Sequence, residues 1–505
     1  MRDADGDDAR QGQHADHGEH GREQMAVTKS HDPSRLPMLR RLLGDSRAVL
    51  ASPNRNARSA VVFGRLLGIA FVICFGTGLF SHFLQDPLPW MRFPTRPTQL
   101  YQFTQGLHIT AGIAIIPLLF AKLNTVMPAL LQDPPVRGPL HLLERLSIAV
   151  FVSAAIVQVG TGLVNTYQWY PWPFPFRQVH YALSYVLIGS LVIHIATKLP
   201  IIVRYWRARD SYDAEGRFVR DDTVGSELPP YSGLEAPAAS APYPRGLVGR
   251  VMRWVDGAPA ASTTGGAEPS RASRPDDESR PGGQDAADPA RNLSPEPSLG
   301  VRAGRRERIA RRGFFAGVAA ATAGVVVLTV GQSSRLGEPF NVFAPRQRGR
   351  GPAGLPVNRT ARAAGVLATA TAADWTLTVV GPRLTRTFSR AELVALGMTE
   401  VALPISCVEG WSQMARWKGI RMRDLLATVQ AEPSSEVRVT SLERHGGYRV
   451  MDMGPEYAAD PTTLVALELN GATLDLDHGF PARIIAPGRP GVLQTKWIER
   501  IEVRS

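Results

Sequence analysis

The sequence predicts a multi-domain chain: an all-α transmembrane four-helix bundle, a fifth anchor helix, and a C-terminal α+β domain rich in strands. Three observations predict it. Five apolar stretches each approach the ~20 residues that an α-helix needs to cross a hydrocarbon core of ~30 Å. A long interval rich in Pro, Gly, Ser, Asp and Arg separates the fourth stretch from the fifth. Beyond the fifth, short alternating runs bounded by Gly, Pro and Asn carry the signature of strands.

In chain order, residues 1–55 are rich in Asp, Gly, His and Arg and hold almost no aromatic residues. They cannot bury enough apolar surface to offset ordering entropy, so a disordered cytoplasmic tail is expected. His14, His17, His20 and His31 lie in it, a tract that is either simply solvated or binds metal. Residues 56–206 carry four closely spaced spans, roughly 61–83, 104–127, 146–165 and 179–203, as a bundle requires. Residues 207–312, including SRPDDESRPGGQDAADPARNLSPEPS, read as a disordered, flexible linker. The fifth span covers 313–331, and 335–505 form the soluble domain, with strand-like runs DWTLTVVG, SEVRVTSL, RIIAPG and KWIERIEVRS.

Charge sets the orientation. The formal net charge of +12 arises from Arg residues crowded beside apolar segments, which points to membrane orientation and away from nucleic acid. Arg58 and Arg65, Arg137 and Arg145, and Lys198, Arg204, Arg207 and Arg209 all fall on one side of the weave, the cytoplasmic side by the positive-inside rule. The opposite loop NTYQWYPWPFPFRQ (165–178) is aromatic and nearly uncharged. The Arg cluster RAGRRERIARRGFFAG should hold the start of the fifth span inside, so the C-terminal domain is expected outside the cytoplasm. Arg311-Arg312-Gly313-Phe314-Phe315 also resembles a twin-arginine export signal.

Only two cysteines are present, Cys74 and Cys407, which excludes a disulfide framework, a Cys-rich zinc module and a Cys-ligated iron–sulfur cluster. A redox function must then rest on bound cofactors. Histidines within spans are the first candidates, because intramembrane ionisable groups are costly. His82 ends span one, His108 opens span two, His141 stands near the start of span three, and His180 and His194 lie on span four. The 14-residue spacing of the last pair puts both on one helix side about 21 Å apart, a spacing suited to two stacked haems. Spans two and four run in the same direction, so His108 and His180 both lie near outer ends and can supply both axial positions of a b-type haem. His82 competes for that role. Arg65, Lys122, Arg145 and Lys198 suit haem propionates or serve as interface anchors.

The segments GLHITAGIAIIPLLFAKL and VHYALSYVLIGSLVIHIATKLP resemble the cytochrome b561-like four-helix family over about 60–205. The resemblance implies one or two haems b. Lys122 stands 14 residues after His108 where the family usually carries histidine, and Arg65 and Leu66 stand where an early-helix histidine is common. His194 therefore lacks its expected partner.

In the soluble domain, PISCVEGWSQMARWKGIRMRDLL contains Cys407, which by itself reads as a small buried hydrophobe, a nucleophile or a soft metal ligand. No local His/Asp relay supports the nucleophile. CVEGWS, WKGIRMRDLL and VALELNGATLDLDHGFPARIIAPGRPGVLQTKWIERIEV together resemble the sulfite oxidase-type molybdopterin fold over about 355–505, and within it the periplasmic methionine sulfoxide reductase catalytic subunits. The resemblance implies that Cys407 ligates molybdenum through its thiolate, beside the dithiolene of one molybdopterin. Arg483, Lys496 and the backbone of the Gly488–Gly491 turn are suitably typed for the pterin phosphate. Asn358, in LPVNRT, resembles the family's early cofactor-contacting Asn. His478 hydrogen-bonds the pterin or caps its turn. Trp411 and Trp417 line an apolar substrate pocket or belong to the core. Arg416 and Arg421 contact substrate or phosphate, or lie on the solvated surface. The sulfite oxidase pattern, in which Gly-Asn and Arg closely follow the ligating Cys, is missing, which favours a sulfoxide or N-oxide over sulfite.

The expected protein is a multi-pass oxidoreductase of a prokaryotic cell membrane. It exchanges electrons with quinone or quinol, passes them through haem b to molybdenum, and removes oxygen from a small oxo-donor as water. One alternative is a dehydrogenase for sulfite or a similar oxo-acceptor that delivers electrons to quinone. The other is a non-catalytic haem conduit with a partner-binding pterin domain, against which Cys407, Arg483 and Lys496 argue.

Overall fold

The computed structural model describes residues 57–207, apart from 131–135, 168 and 170, and residues 299–504, apart from 331–337 and six positions between 341 and 348. The expected tail 1–55, its histidines His14, His17, His20 and His31, and linker residues 208–298 lie outside the described residues.

Five long helices are apolar enough to cross a membrane: α1 (Ala57–Gln85), α2 (Leu100–Leu130), α3 (Pro139–Thr166), α4 (Phe176–Arg207) and α5 (Leu299–Val330). Helix α5 begins at Leu299, so residues 299–312 are helical where linker was expected. Their run LGVRAGRRERIARR has strong helix formers and no Pro, and local propensity extends the span into its flank. Helix α1 packs along α2 and α4, α3 along α4, and α5 against α2. Phe63, Leu67, Phe71, Leu118, Phe151, Ala155 and Leu187 form the shared core. Phe315 of α5 stacks on Phe63 with ring centroids 4.8 Å apart. Ile69, Val72, Phe120 and Val192 remain exposed, the apolar outer belt that lipid demands of a spanning bundle.

The C-terminal domain holds two five-stranded sheets. The strands are β1 (Thr376–Val380), β2 (Thr385–Ser389), β3 (Thr399–Ser406), β4 (Ser412–Arg421), β5 (Glu436–Ser441), β6 (Val450–Met453), β7 (Leu464–Leu469), β8 (Ala472–Thr473), β9 (Arg483–Ile485) and β10 (Ile498–Arg504). One sheet runs β2-β1-β10-β5-β6, with β1 parallel to β10; the other runs β3-β4-β7-β8, with β9 also on β7. Burial alternates along β5, as the two-residue side-chain period requires. Leu377, Val379, Leu425, Val437, Val439 and Ile501 fill one core, and Leu355, Leu403, Ile405, Trp417, Leu464 and Ala466 another beside β3, β4 and β7.

This domain sits on the bundle end built from the C-terminus of α1 and the N-termini of α2 and α4. Arg96 pairs with Asp460 at 3.1 Å, and the Gln105 amide donates to the Val408 carbonyl at 2.8 Å. The Tyr448 hydroxyl donates to Gln85 Oε1 at 3.0 Å. The opposite end carries Arg58, whose guanidinium donates to the Tyr205 carbonyl, and the Glu144–Lys198 pair at 2.6 Å.

Candidate functional sites: a paired-histidine centre beneath a cysteine cleft

Helices α2 and α4 bring the rings of His108 and His180 together, centroids 6.4 Å apart and planes inclined by 71°. His108 Nδ1 lies 2.8 Å from the Cys74 carbonyl, and His180 Nδ1 lies 2.9 Å from Thr161 Oγ1. Such outer partners fix ring orientation and leave both Nε2 atoms for a metal. Room is provided by Gly78 of α1: a Cβ there would lie 2.8 Å from His108 Cε1. These residues fit a b-type haem held by two imidazoles.

The other intramembrane candidates are placed differently. His82 stacks on Tyr181 with centroids 3.6 Å apart, and its ring is taken up there instead of facing the pair. His194 lies along Phe151, centroids 6.1 Å apart, and its buried Nδ1 has no hydrogen-bond partner. Among the described residues no second histidine ring faces it. Lys122 donates to the Ala60 carbonyl of α1, Lys198 pairs with Glu144, and Arg65 lies over the Trp206 ring. His141 Nδ1 accepts from the Arg137 amide.

Above the paired histidines, Cys407 opens the tight turn between β3 and β4. Its amide donates to the Trp411 carbonyl at 2.9 Å, and the Gly410 amide donates back to the Cys407 carbonyl at 3.0 Å. Gly410 has φ +97°, and a Cβ there would collide with Ile109 of α2, the residue after His108. Cys407 lies in a partly open cleft that is also lined by Asn358, Trp411, His478, Arg483, Gly491 and Lys496.

The polar atoms of this cleft are cation-rich. Arg483 donates to the carbonyls of His478 (3.0 Å) and Gln494 (3.3 Å), and its Nε is buried without a partner. Lys496 Nζ donates to the Asp477 carbonyl at 2.9 Å and reaches Asn358 Oδ1 at 3.4 Å. Burial pushes Arg483 down to about 9 and Lys496 down to about 7. The only carboxylate lining the cleft, Glu443, is already paired with Arg359 at 2.9 Å. Buried cations in such excess suit an anionic, phosphate-bearing ligand. Burial, then the neighbouring Glu409 carboxylate, raises the Cys407 thiol well above its ordinary value; a bound metal cation supplies the charge that would favour its thiolate. The donor set therefore fits a molybdenum–pterin group.

Several residues lie elsewhere or act differently than the sequence suggested. Arg416 is exposed on β4, 3.9 Å from Glu400. The strand alternation that drives Trp417 fully inside turns Arg416 outward. The Trp417 indole donates to the Leu403 carbonyl and packs in the core. Arg421 is half-buried, outside the cleft lining. Gly488 sits against the carbonyls of Pro94 and Thr95 in the α1–α2 loop, also outside the cleft. His478 Nε2 is 2.9 Å from the Pro352 carbonyl and 3.1 Å from that of Leu355; burial drops its pKa to about 4, so a neutral ring donates to the segment carrying Asn358. Trp411 lines the cleft, its indole donating to Glu409 Oε2 at 3.1 Å. Arg359, Glu443, Tyr448, Gln494 and Thr495 join the lining without having been singled out. Arg359 adjoins Asn358, and Gln494-Thr495 precede Lys496, so proximity in sequence could have found those three.

Residues 59–200 match the family of prokaryotic cytochrome b561, and residues 364–505 match the oxidoreductase molybdopterin binding domain. Mitochondrial sulfite oxidase of Rattus norvegicus is 35% identical over 104 residues, covering 18% of this chain and 18% of that protein. Sulfite oxidase of Arabidopsis thaliana is 32% identical over 103 residues, covering 18% and 26%. The NADPH nitrate reductase of Phytophthora infestans is 36% identical over 94 residues, covering 18% and 10%. The sulfane dehydrogenase SoxCD of Paracoccus pantotrophus aligns at 19% identity with a TM-score of 0.24, over 26% of this chain and 38% of that one. The chain thus spans only a minor part of the length of these relatives.

Proposed function

From a chain that joins a cytochrome b561 domain to an oxidoreductase molybdopterin-binding domain, we propose a membrane-anchored enzyme that moves electrons between the quinone pool, haem b and molybdenum to reduce a sulfoxide- or N-oxide-type substrate outside the cytoplasm. The observation that carries this reading is the contact of the Cys407 turn with α2 beside His108. Two redox sites that share an interface can exchange electrons without a separate carrier. The docked domain lies at the bundle end opposite Arg58, Arg65, Arg145 and Arg204, which supports the extracytoplasmic side by the positive-inside rule.

Molybdenum bound here supplies a two-electron oxo-transfer centre. The chain's residues do the rest. Cys407 would give up its thiol proton to hold the metal, and Arg483, Lys496 and Asn358 would hold the phosphate-bearing pterin. Trp411 and Ile405 wall the cleft against water, and Tyr448 presents a phenol at its edge. Below, His108 and His180 would hold the haem iron, with the Cys74 carbonyl and the Thr161 hydroxyl fixing their rings.

A second reading, oxidation of sulfite or a related sulfur compound with electrons passed to quinone, is favoured by the sulfite oxidases among the relatives. The Cys407-Val408-Glu409-Gly410 turn lacks the Gly-Asn and Arg that would favour sulfite itself. Spectroscopy of the haem band in membrane-extracted holoprotein separates the two. Reoxidation of quinol-reduced haem by methionine sulfoxide or an N-oxide supports the reductase. Reduction of the haem on adding sulfite supports the second reading, and a haem inert to both, in protein lacking molybdenum, leaves only an electron conduit.

A further inference from the structure

Gln105 stands one helical turn before His108 on α2, so the two side chains share a face. It is 7% exposed, and its amide donates at 2.8 Å to the carbonyl of Val408, the residue that follows Cys407. The same turn of α2 offers Ile109, which fills the space left by the missing side chain of Gly410. The membrane helix that carries a haem ligand is therefore pressed against the loop that carries the metal-binding thiol, through one hydrogen bond and one apolar contact. Of the other docking contacts, Arg96 with Asp460 involves no residue of either site, and Tyr448 with Gln85 joins the cleft lining to α1 rather than to the His108 turn of α2.

We propose that Gln105 is a positioning residue for electron passage between the two centres: its amide ties the Cys407 turn directly to the His108 turn of α2. The inference rests on the haem-to-molybdenum reading above and goes beyond it by naming the junction. Each crossing oxidises the haem by one electron and reduces the molybdenum site by one. Two crossings match the two-electron removal of an oxygen atom, whose water product takes two protons from solvent.

The test uses the membrane-extracted holoprotein without substrate. The haem is reduced by a flash-excited photosensitiser and its reoxidation is followed at the haem band. Gln105→Met keeps the side-chain length and loses the donor; Gln105→Asn keeps an amide too short to reach Val408. Both should slow reoxidation severalfold, because the Cys407 turn loses its bonded tie to α2. The haem spectrum and substrate turnover driven by a dye acting directly on the molybdenum domain should stay at wild-type levels. Unchanged reoxidation in both variants would overturn the proposal. So would an equal loss in the dye-driven assay, which would make Gln105 a structural support of the cleft. If the wild-type haem itself is not reoxidised while dye-driven turnover proceeds, the haem-to-molybdenum reading fails first.

Discussion

At the scale of single residues, the two centres depend on different chemistry and should fail separately. Cys407→Ser replaces a soft thiolate by a hydroxyl that remains protonated at neutral pH; substrate turnover should vanish while the haem absorbance is retained. On the proposed reading His180→Ala removes one of the two imidazoles that would hold the haem, and haem content per chain measured by pyridine haemochrome should fall while molybdenum content stays. Lys496 gives a pH signature in cofactor-free protein. Its folded value of about 7 lies below the ordinary 10.5, so the unfolded chain binds more protons between those values. Stability then rises with pH across that window. Thermal unfolding of the apoprotein should shift upward from pH 7 to pH 9, and Lys496→Met should flatten that slope. Some of these residues were legible from the sequence: Cys407, Asn358, Arg483 and Lys496 sit in motifs of recognisable type, and all four line one cleft. Glu443 and Tyr448 were not, because they reach the cleft from the loop after β5, and no local pattern encodes that tertiary approach.

At the scale of elements, hydropathy located the five long apolar helices found among the described residues, since a span must be apolar along its length whatever it packs against. It could not locate the ends, which at α5 are set by helix propensity in an Arg-rich flank. Nor could spacing decide between His82 and His180. Both end on one side of the bundle, and only packing stacks the first on Tyr181 and turns the second toward His108. The β3–β4 turn shows how tightly an element can be constrained from outside its own domain. Gly410→Ala places a side chain at φ +97° and against Ile109. The backbone conformation alone costs about 1–2 kcal/mol, and the collision adds to it. A lower melting temperature and faster proteolytic release of the C-terminal domain should follow.

At the scale of the whole molecule, the cysteine cleft and the histidine pair meet across contacts between residues more than 300 positions apart, such as Gln105 with Val408 and Gln85 with Tyr448. Sequence pattern carries no information on such pairings, because each partner is ordinary in its own neighbourhood. The docked arrangement makes a prediction that a loosely tethered domain would not. If the domain had to swing in for every electron, turnover driven from quinol would slow in proportion to solvent viscosity. With the contact standing, the rate measured across a sucrose series should stay flat once the medium's effect on substrate diffusion is subtracted.

The stacking of Phe315 on Phe63 has a consequence for the cell as well as for the fold. It makes α5 a member of the bundle and no mere leash, so within one chain the anchor of the head and the histidine helices form a single packed body. On the proposed reading one polypeptide would carry both prosthetic groups, and a copy lacking either would be idle wiring.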